Sequence, residues 1–183
     1  KPLCQSMAEA DDLVEVCREH DVAFNLGVNR RYIPLYRTAR EMVENGEIGR
    51  RNAIIAQVGA APVLWGHSHA ADMLLFLAGD ADVEYVQAES DFDESDVDED
   101  DENRLLRDPA ISMGYVRFED GTRGYLTQGE GYEFEVDGEE GKIRTLNNGQ
   151  TATLRREQGE WGLLEEEPFP EVEAKSGTVG CIE

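Results

Sequence analysis

Across 183 residues, forty acidic side chains face seventeen basic ones, leaving a formal charge of -23. A field of that sign repels phosphate backbones and anionic membranes, which excludes nucleic acid and membrane surfaces as natural partners. Apolar residues make up 40% of the chain, enough for the core of one soluble domain, and the longest apolar run, Met73 to Ala78, is far too short to span a bilayer.

Among the basic residues only Lys1, Lys142 and Lys175 are lysines, so the acid excess reads as a solvated, halophilic surface on which salt suppresses self-repulsion. Cys4, Cys17 and Cys181 are odd in number and include no C-x-x-C pair, which argues for a reducing, cytoplasmic setting and against a disulfide framework or zinc knuckle.

In chain order, Ser6 and Glu9 form a capping box, and Ala10, Leu13, Val14 and Cys17 follow at helical spacing, predicting a helix from Met7 to Glu19. Val22 to Val28 reads as a short buried strand. Pro34 suits a helix's first position, Leu35, Ala39, Met42 and Val43 share a face behind it, and Asn45-Gly46 is a left-handed stop. Arg51 to Val58 is a strand. A third helix, from Gly66 to Ser68 through to Ala78, is apolar nearly all round and therefore buried.

From Val83 the pattern changes to period two. Val83 to Ala88, Ile111 to Phe118, Thr122 to Thr127, Tyr132 to Val136, Lys142 to Leu146 and Thr151 to Arg155 read as strands, and Glu119-Asp120-Gly121, Asp137-Gly138 and Asn147-Asn148-Gly149 are hairpin turns. The expected fold is α+β, with helices on one face of a largely antiparallel open sheet. Between the strands, ten of the fourteen residues from Glu89 to Glu102 are acidic. Asp91, Asp93, Ser95 and Glu102 fall at EF-hand positions one, three, five and twelve, but Asp96 stands where the turn needs glycine, so a solvated loop is the expectation.

His67 and His69 stand at the mouth of the third helix. The positive end of a helix disfavours imidazolium, which keeps a neutral ring available to take a proton, so His69 is a candidate general base. Asp72 lies one turn on and either orients that ring or favours the helix dipole; the alternative is that both histidines merely cap the helix. Two histidines and one aspartate make an incomplete metal shell, and no metal site is assigned. No G-x-G-x-x-G, Walker loop or G-x-S-x-G occurs, so the chain has no dinucleotide fingerprint of its own.

Several stretches, in order along the chain, resemble the Gfo/Idh/MocA oxidoreductase family. Lys1-Pro2-Leu3 is similar to its Glu-Lys-Pro motif. Asn29-Arg30-Arg31-Tyr32-Ile33-Pro34 through Gly46-Glu47-Ile48-Gly49 is similar to its N-R-R-F-x-P to G-x-I-G segment, and His69-Ala70-Ala71-Asp72-Met73-Leu74 through Gly79-Asp80 to its G-x-H-x-x-D-L-L to L-x-G-D helix. Phe118-Glu119-Asp120-Gly121 and Val136-Asp137-Gly138-Glu139-Glu140-Gly141 resemble its F-x-x-G hairpin and G-T-E-G turn.

The resemblance implies an NAD- or NADP-dependent enzyme that moves a hydride between the nicotinamide and a hydroxyl-bearing carbon of a sugar, polyol or sugar derivative. Residues 1-29 would be the tail of its Rossmann domain, with one helix and one strand. Residues 30-183 would be its α+β substrate and dimerisation domain, cut short at the C-terminus, and this piece alone would be inactive. By position, Lys1 and His69 are the catalytic pair; Lys1, Pro2 and Arg31 touch the cofactor; and Trp65, His67, His69, Asp72 and Tyr32 line the substrate. The open sheet would join subunits into a homo-oligomer. One departure stands out: Trp65 occupies the position of an aspartate that many active members carry. It leaves as the alternative a noncatalytic relative that binds a sugar ligand or serves as a dimerisation module.

Overall fold

The computed structural model describes residues 3-4, 6-59, 61-98, 105-158 and 161-182. Eight strands, β1 (Arg51–Val58), β2 (Val83–Ser90), β3 (Ile111–Phe118), β4 (Arg123–Gln128), β5 (Glu133–Gly138), β6 (Gly141–Leu146), β7 (Thr151–Glu157) and β8 (Leu164–Glu167), form one sheet in the order β2-β3-β4-β1-β5-β6-β7-β8. All neighbours are antiparallel except β1 and β4. Strand β1 enters between two hairpin series, so the chain after it must cross over before β4 can lie alongside it.

That crossover carries α3 (Ser68–Leu77), which with α2 (Pro34–Glu44) covers one face of the sheet. Its Ala70, Met73, Leu74, Phe76 and Leu77 are buried. They join Leu35, Tyr36, Ala39, Met42 and Val43 of α2 and the inward Ile54, Ala56, Val58, Phe118, Leu126, Phe134, Val136, Ile143 and Leu154 of the strands in one core. Pro34 begins α2 at the position where its missing N–H costs nothing. The turn between β6 and β7 places Asn147, Asn148 and Gly149 at φ 49°, 55° and 78°, the left-handed region in which asparagine and glycine are least strained. A Cβ on Gly149 would lie 2.7 Å from the Tyr36 ring, so that turn also requires the missing side chain.

The other face of the sheet is open. Tyr85, Tyr115 and Tyr125 stack across it with ring centroids 5.6 and 5.4 Å apart, and Glu135–Lys142 and Glu133–Arg144 ion pairs continue it across β5 and β6.

Helix α1 (Met7–Glu19) has the predicted bounds, and Ser6 accepts from the Glu9 N–H at its N-cap. It buries none of its residues. The expected strand over Val22 to Val28 does not form. A lone strand has no partner for its backbone groups, and no ladder reaches this segment among the described residues. Leu13, Val14, Val16, Val22 and Phe24 leave an apolar surface exposed here. A short α4 (Gly177–Ile182) docks on the 3-10 turn Asn29–Tyr32. No helix among the described residues is long and apolar enough to cross a membrane.

Candidate active site

The site is built where the 3-10 turn Asn29–Tyr32, the N-terminal end of α3 and the start of β5 converge. Helix α3 does not start cleanly. Five residues, Val63–His67, form a π-turn ahead of it, with the Gly66 and His67 N–H groups both donating to the Pro62 carbonyl at 2.8 and 3.2 Å. Such a turn holds one residue more than an α-helical turn and is frequent at functional sites. Gly66 makes it possible, since a Cβ there would lie 2.4 Å from that of Ala61.

The turn sets the neighbouring side chains. Trp65 is 70% exposed, presenting its indole outward. His67 is 2% exposed. Burial holds its imidazole below the ordinary histidine range, against the opposing influence of the Ala61 backbone and of Asp108, and neither ring nitrogen has a hydrogen-bond partner of normal geometry among the described residues. His69 lies in the first turn of α3, half-buried, with its Nδ1 shielded from solvent.

Asp72 is gripped by Arg31. Its oxygens accept from Arg31 Nε at 3.0 and 3.1 Å and from Nη2 at 2.5 Å, the fork geometry that makes Arg–carboxylate pairs strong. Burial pushes the Asp72 carboxyl up, and Arg31 opposes that shift. Arg31 is held above its ordinary value by the same bonds. Its Nη1 also reaches Asp80 at 3.4 Å, while Arg40 binds Asp80 at 2.6 Å, and both guanidinium groups sit over the Phe76 ring. Arg31 thus fastens the 3-10 turn to α3.

Tyr32 turns the other way. Its hydroxyl accepts from Asn25 at 3.5 Å, and its backbone lies under Gly180 of α4. Lys1 and Pro2 lie outside the described residues.

Two neighbours escaped the sequence reading. Tyr132, at φ 53°, directs its hydroxyl at the Gly66 carbonyl, 3.5 Å away. The Arg30 guanidinium lies 4.0 Å above its ring and donates to Asn148 Oδ1 at 2.9 Å. Burial pushes the Tyr132 phenol up to about 12, partly offset by Arg30 and reinforced by Asp72. Asp108 accepts from the backbone N–H groups of Leu64 and Trp65 at 3.0 and 3.2 Å. Nothing in the adjacent sequence points to either, since both contacts join segments far apart in the chain.

No group of three or more His, Cys, Asp or Glu side chains among the described residues is arranged to hold a metal. In the acidic loop the EF-hand positions are otherwise engaged: Arg107 bonds Asp91 at 2.9 Å and Asp96 at 2.7 Å, and Asp93 caps a short 3-10 turn by accepting from Ser95. Glu102 lies outside the described residues. Nor does any described helix begin with a glycine-rich turn following a strand, so these residues do not fit the pyrophosphate of a dinucleotide.

The fold is similar to that of the α+β half of sugar and polyol oxidoreductases. Over 182 residues the chain is 27% identical to myo-inositol 2-dehydrogenase of Thermotoga maritima, covering 88% of this chain and 53% of that protein. It thus spans about half the length of the curated relative. Among solved structures, aldose-aldose oxidoreductase from Caulobacter crescentus complexed with glycerol superposes with a TM-score of 0.73 at 15% identity, covering 100% of this chain and 58% of that one. An inositol dehydrogenase homologue from Azotobacter vinelandii, complexed with NADH and myo-inositol, gives 0.71 at 13%, covering 98% and 51%. No family model matches the chain. These likenesses bear out the resemblance to the Gfo/Idh/MocA oxidoreductases and the expected α+β fold.

Proposed function

We propose that this chain is the substrate-handling half of an NAD- or NADP-dependent oxidoreductase acting on a sugar, polyol or sugar derivative in the cytoplasm, with His69 as its acid/base. The observation that carries this reading is the juxtaposition at the α3 mouth. A half-buried histidine in the first turn of a buried helix stands two residues from an imidazole kept neutral by burial and four from an exposed indole.

A nicotinamide cofactor, held by residues outside this chain, would supply the hydride acceptor for oxidation of an alcohol. The O–H proton goes to His69, leaving a carbonyl and an imidazolium. Trp65 offers an apolar platform for the C–H face of a sugar ring. Lys1, by its position in the resemblance, stabilises the developing alkoxide.

The dinucleotide would be held by a nucleotide-binding half continuing from α1. The exposed Leu13, Val14, Val16, Val22 and Phe24 support this, because an apolar surface of that kind calls for a covering layer. Without that half, the chain alone is inactive. The tyrosine-studded open face of the sheet is the surface through which copies associate.

The test is NAD(P)H formation by the longer protein, carrying the sequence upstream of Lys1, on a panel of polyols and aldoses. Turnover lost in both Lys1→Ala and His69→Ala supports the reading, and equal turnover in either variant refutes that residue's role. Sugar binding without any turnover would favour the noncatalytic alternative that Trp65 raises.

A further inference from the structure

We propose that Asp108 is a positioning residue for this site: by capping the π-turn Val63–His67 from a distant loop, it fixes where Trp65 and His67 stand relative to His69. The inference rests on the proposed function for what the site does, and on geometry for how it is held.

A helical run leaves its first N–H groups without partners inside the helix. Here the first three are all met from one place. Val63 N–H donates to the Pro109 carbonyl at 2.7 Å, Leu64 N–H to Asp108 Oδ1 at 3.0 Å and Trp65 N–H to Asp108 Oδ2 at 3.2 Å. Pro62, at the N-cap, makes no side-chain cap. Two consecutive residues more than forty positions along the chain therefore do the work that a local Ser or Asp normally does.

Those two residues are themselves anchored. The preceding Arg107 grips Asp96 through Nε and Nη2, both at 2.7 Å, and Asp91 through its carboxylate and its carbonyl. Asp91 and Ala110 exchange two hydrogen bonds, Ala110 N–H donating to Asp91 Oδ1 at 2.6 Å and Asp91 N–H to the Ala110 carbonyl at 3.1 Å. Ala110 also bridges to Pro62, and Pro109 is buried. Part of the acidic run is thus the fastening of a strap whose free end is Asp108.

What the strap holds is a turn with an alternative. Release of the π-turn toward α-helical geometry removes one residue from the coil and rotates the residues ahead of it by about 100° about the axis. Trp65 would leave its present direction, and the Gly66 carbonyl that meets the Tyr132 hydroxyl would move with it. A cap that only stabilised the fold would leave substrate recognition untouched, and this difference separates the two roles.

The experiment compares Asp108→Ala and Asp108→Asn with Ile143→Val, a core change in β6 remote from the site, all in a Trp161→Phe background so that Trp65 is the remaining tryptophan. In Asp108→Ala the Leu64 and Trp65 amides should exchange about tenfold faster or more, since each loses a charge-assisted hydrogen bond. The Trp65 indole N–H resonance should move. Asp108→Asn, which retains one acceptor oxygen, should recover part of both effects. In the longer protein KM for the polyol should rise about tenfold with kcat changed less than about twofold, the signature of lost ground-state positioning, while Ile143→Val loses stability with KM unchanged. Unaltered amide exchange and indole resonance in Asp108→Ala overturn the proposal. So does altered exchange with an unaltered KM. If the wild-type longer protein has no turnover, the proposed function fails by itself and the indole resonance decides for Asp108: a shift in Asp108→Ala absent from Ile143→Val supports the positioning role, and the same resonance in both refutes it.

Discussion

Replacing Arg31 by methionine strands the Asp72 carboxylate. The aspartate side chain is 11% exposed and the guanidinium 25%, and Asp72 accepts all three of its bonds from this one partner. Breaking a fully buried pair by removing one member costs about 3–5 kcal/mol, whereas surface pairs contribute about 0–1 kcal/mol. With one partner open to solvent over a quarter of its surface, the cost of Arg31→Met should be about 2 kcal/mol at neutral pH. Asp80 is spared because Arg40 still holds it. The sign with pH follows from the carboxyl. Burial already pushes Asp72 up, and Arg31 opposes that, so its loss raises the folded value further above the unfolded one. A group raised in this way favours folding when protonated, and that contribution is lost as pH rises through the folded value. The deficit of Arg31→Met relative to wild type should therefore shrink on acidification, and Asp72→Asn should restore most of it at neutral pH. Urea unfolding of the four members of the double-mutant cycle measures the coupling. A coupling energy below about 0.5 kcal/mol, or a deficit that does not change with pH, would refute the assignment of the pair as the tie between the 3-10 turn and α3.

Three further outcomes follow from other parts of the molecule. Gly66→Ala should destabilise by about 1–3 kcal/mol through overpacking against Ala61, read as a lower urea midpoint, and Ala61→Gly should restore it; an unchanged midpoint would show that the π-turn tolerates a side chain. Burial lowers the folded His67 value, so the stability of its neutral ring is present above the unfolded value of about 6.5 and is lost as pH falls through the folded one; His67→Phe should flatten that part of the stability profile, and an identical profile would contradict it. Finally, with a net charge of -23 the melting temperature should climb with added KCl as self-repulsion is screened, and a melt indifferent to salt would show that the acid surface costs the fold nothing.

Much of the architecture was written in short stretches of sequence. The capping box at Ser6, the proline opening α2 and the Asn147-Asn148-Gly149 turn each act over a few residues, so their consequences could be read locally. Strand β8 could not, because Leu164-Glu165-Glu166-Glu167 has no alternating pattern and is a strand only through its pairing with β7, helped by the Arg156–Glu167 ion pair. The opposite error occurred at Val22 to Val28, where an apolar run with strand composition forms no ladder, since a strand is a relation between segments and not a property of one.

The site divides in the same way. The place of His69 at the start of an apolar helix could be read from the adjacent residues. The tie from Arg31 to Asp72 spans 41 positions, and the cap from Asp108 to Leu64 spans 44; neither leaves a local trace. By itself the sequence determined the secondary structure of most of the chain, its charge and the histidine at the helix mouth, all products of short-range sterics and composition. Only the tertiary structure decided which carboxylates are occupied by arginines and which hold the π-turn. Those pairings depend on the sheet order and on the crossover that brings the acidic loop to α3.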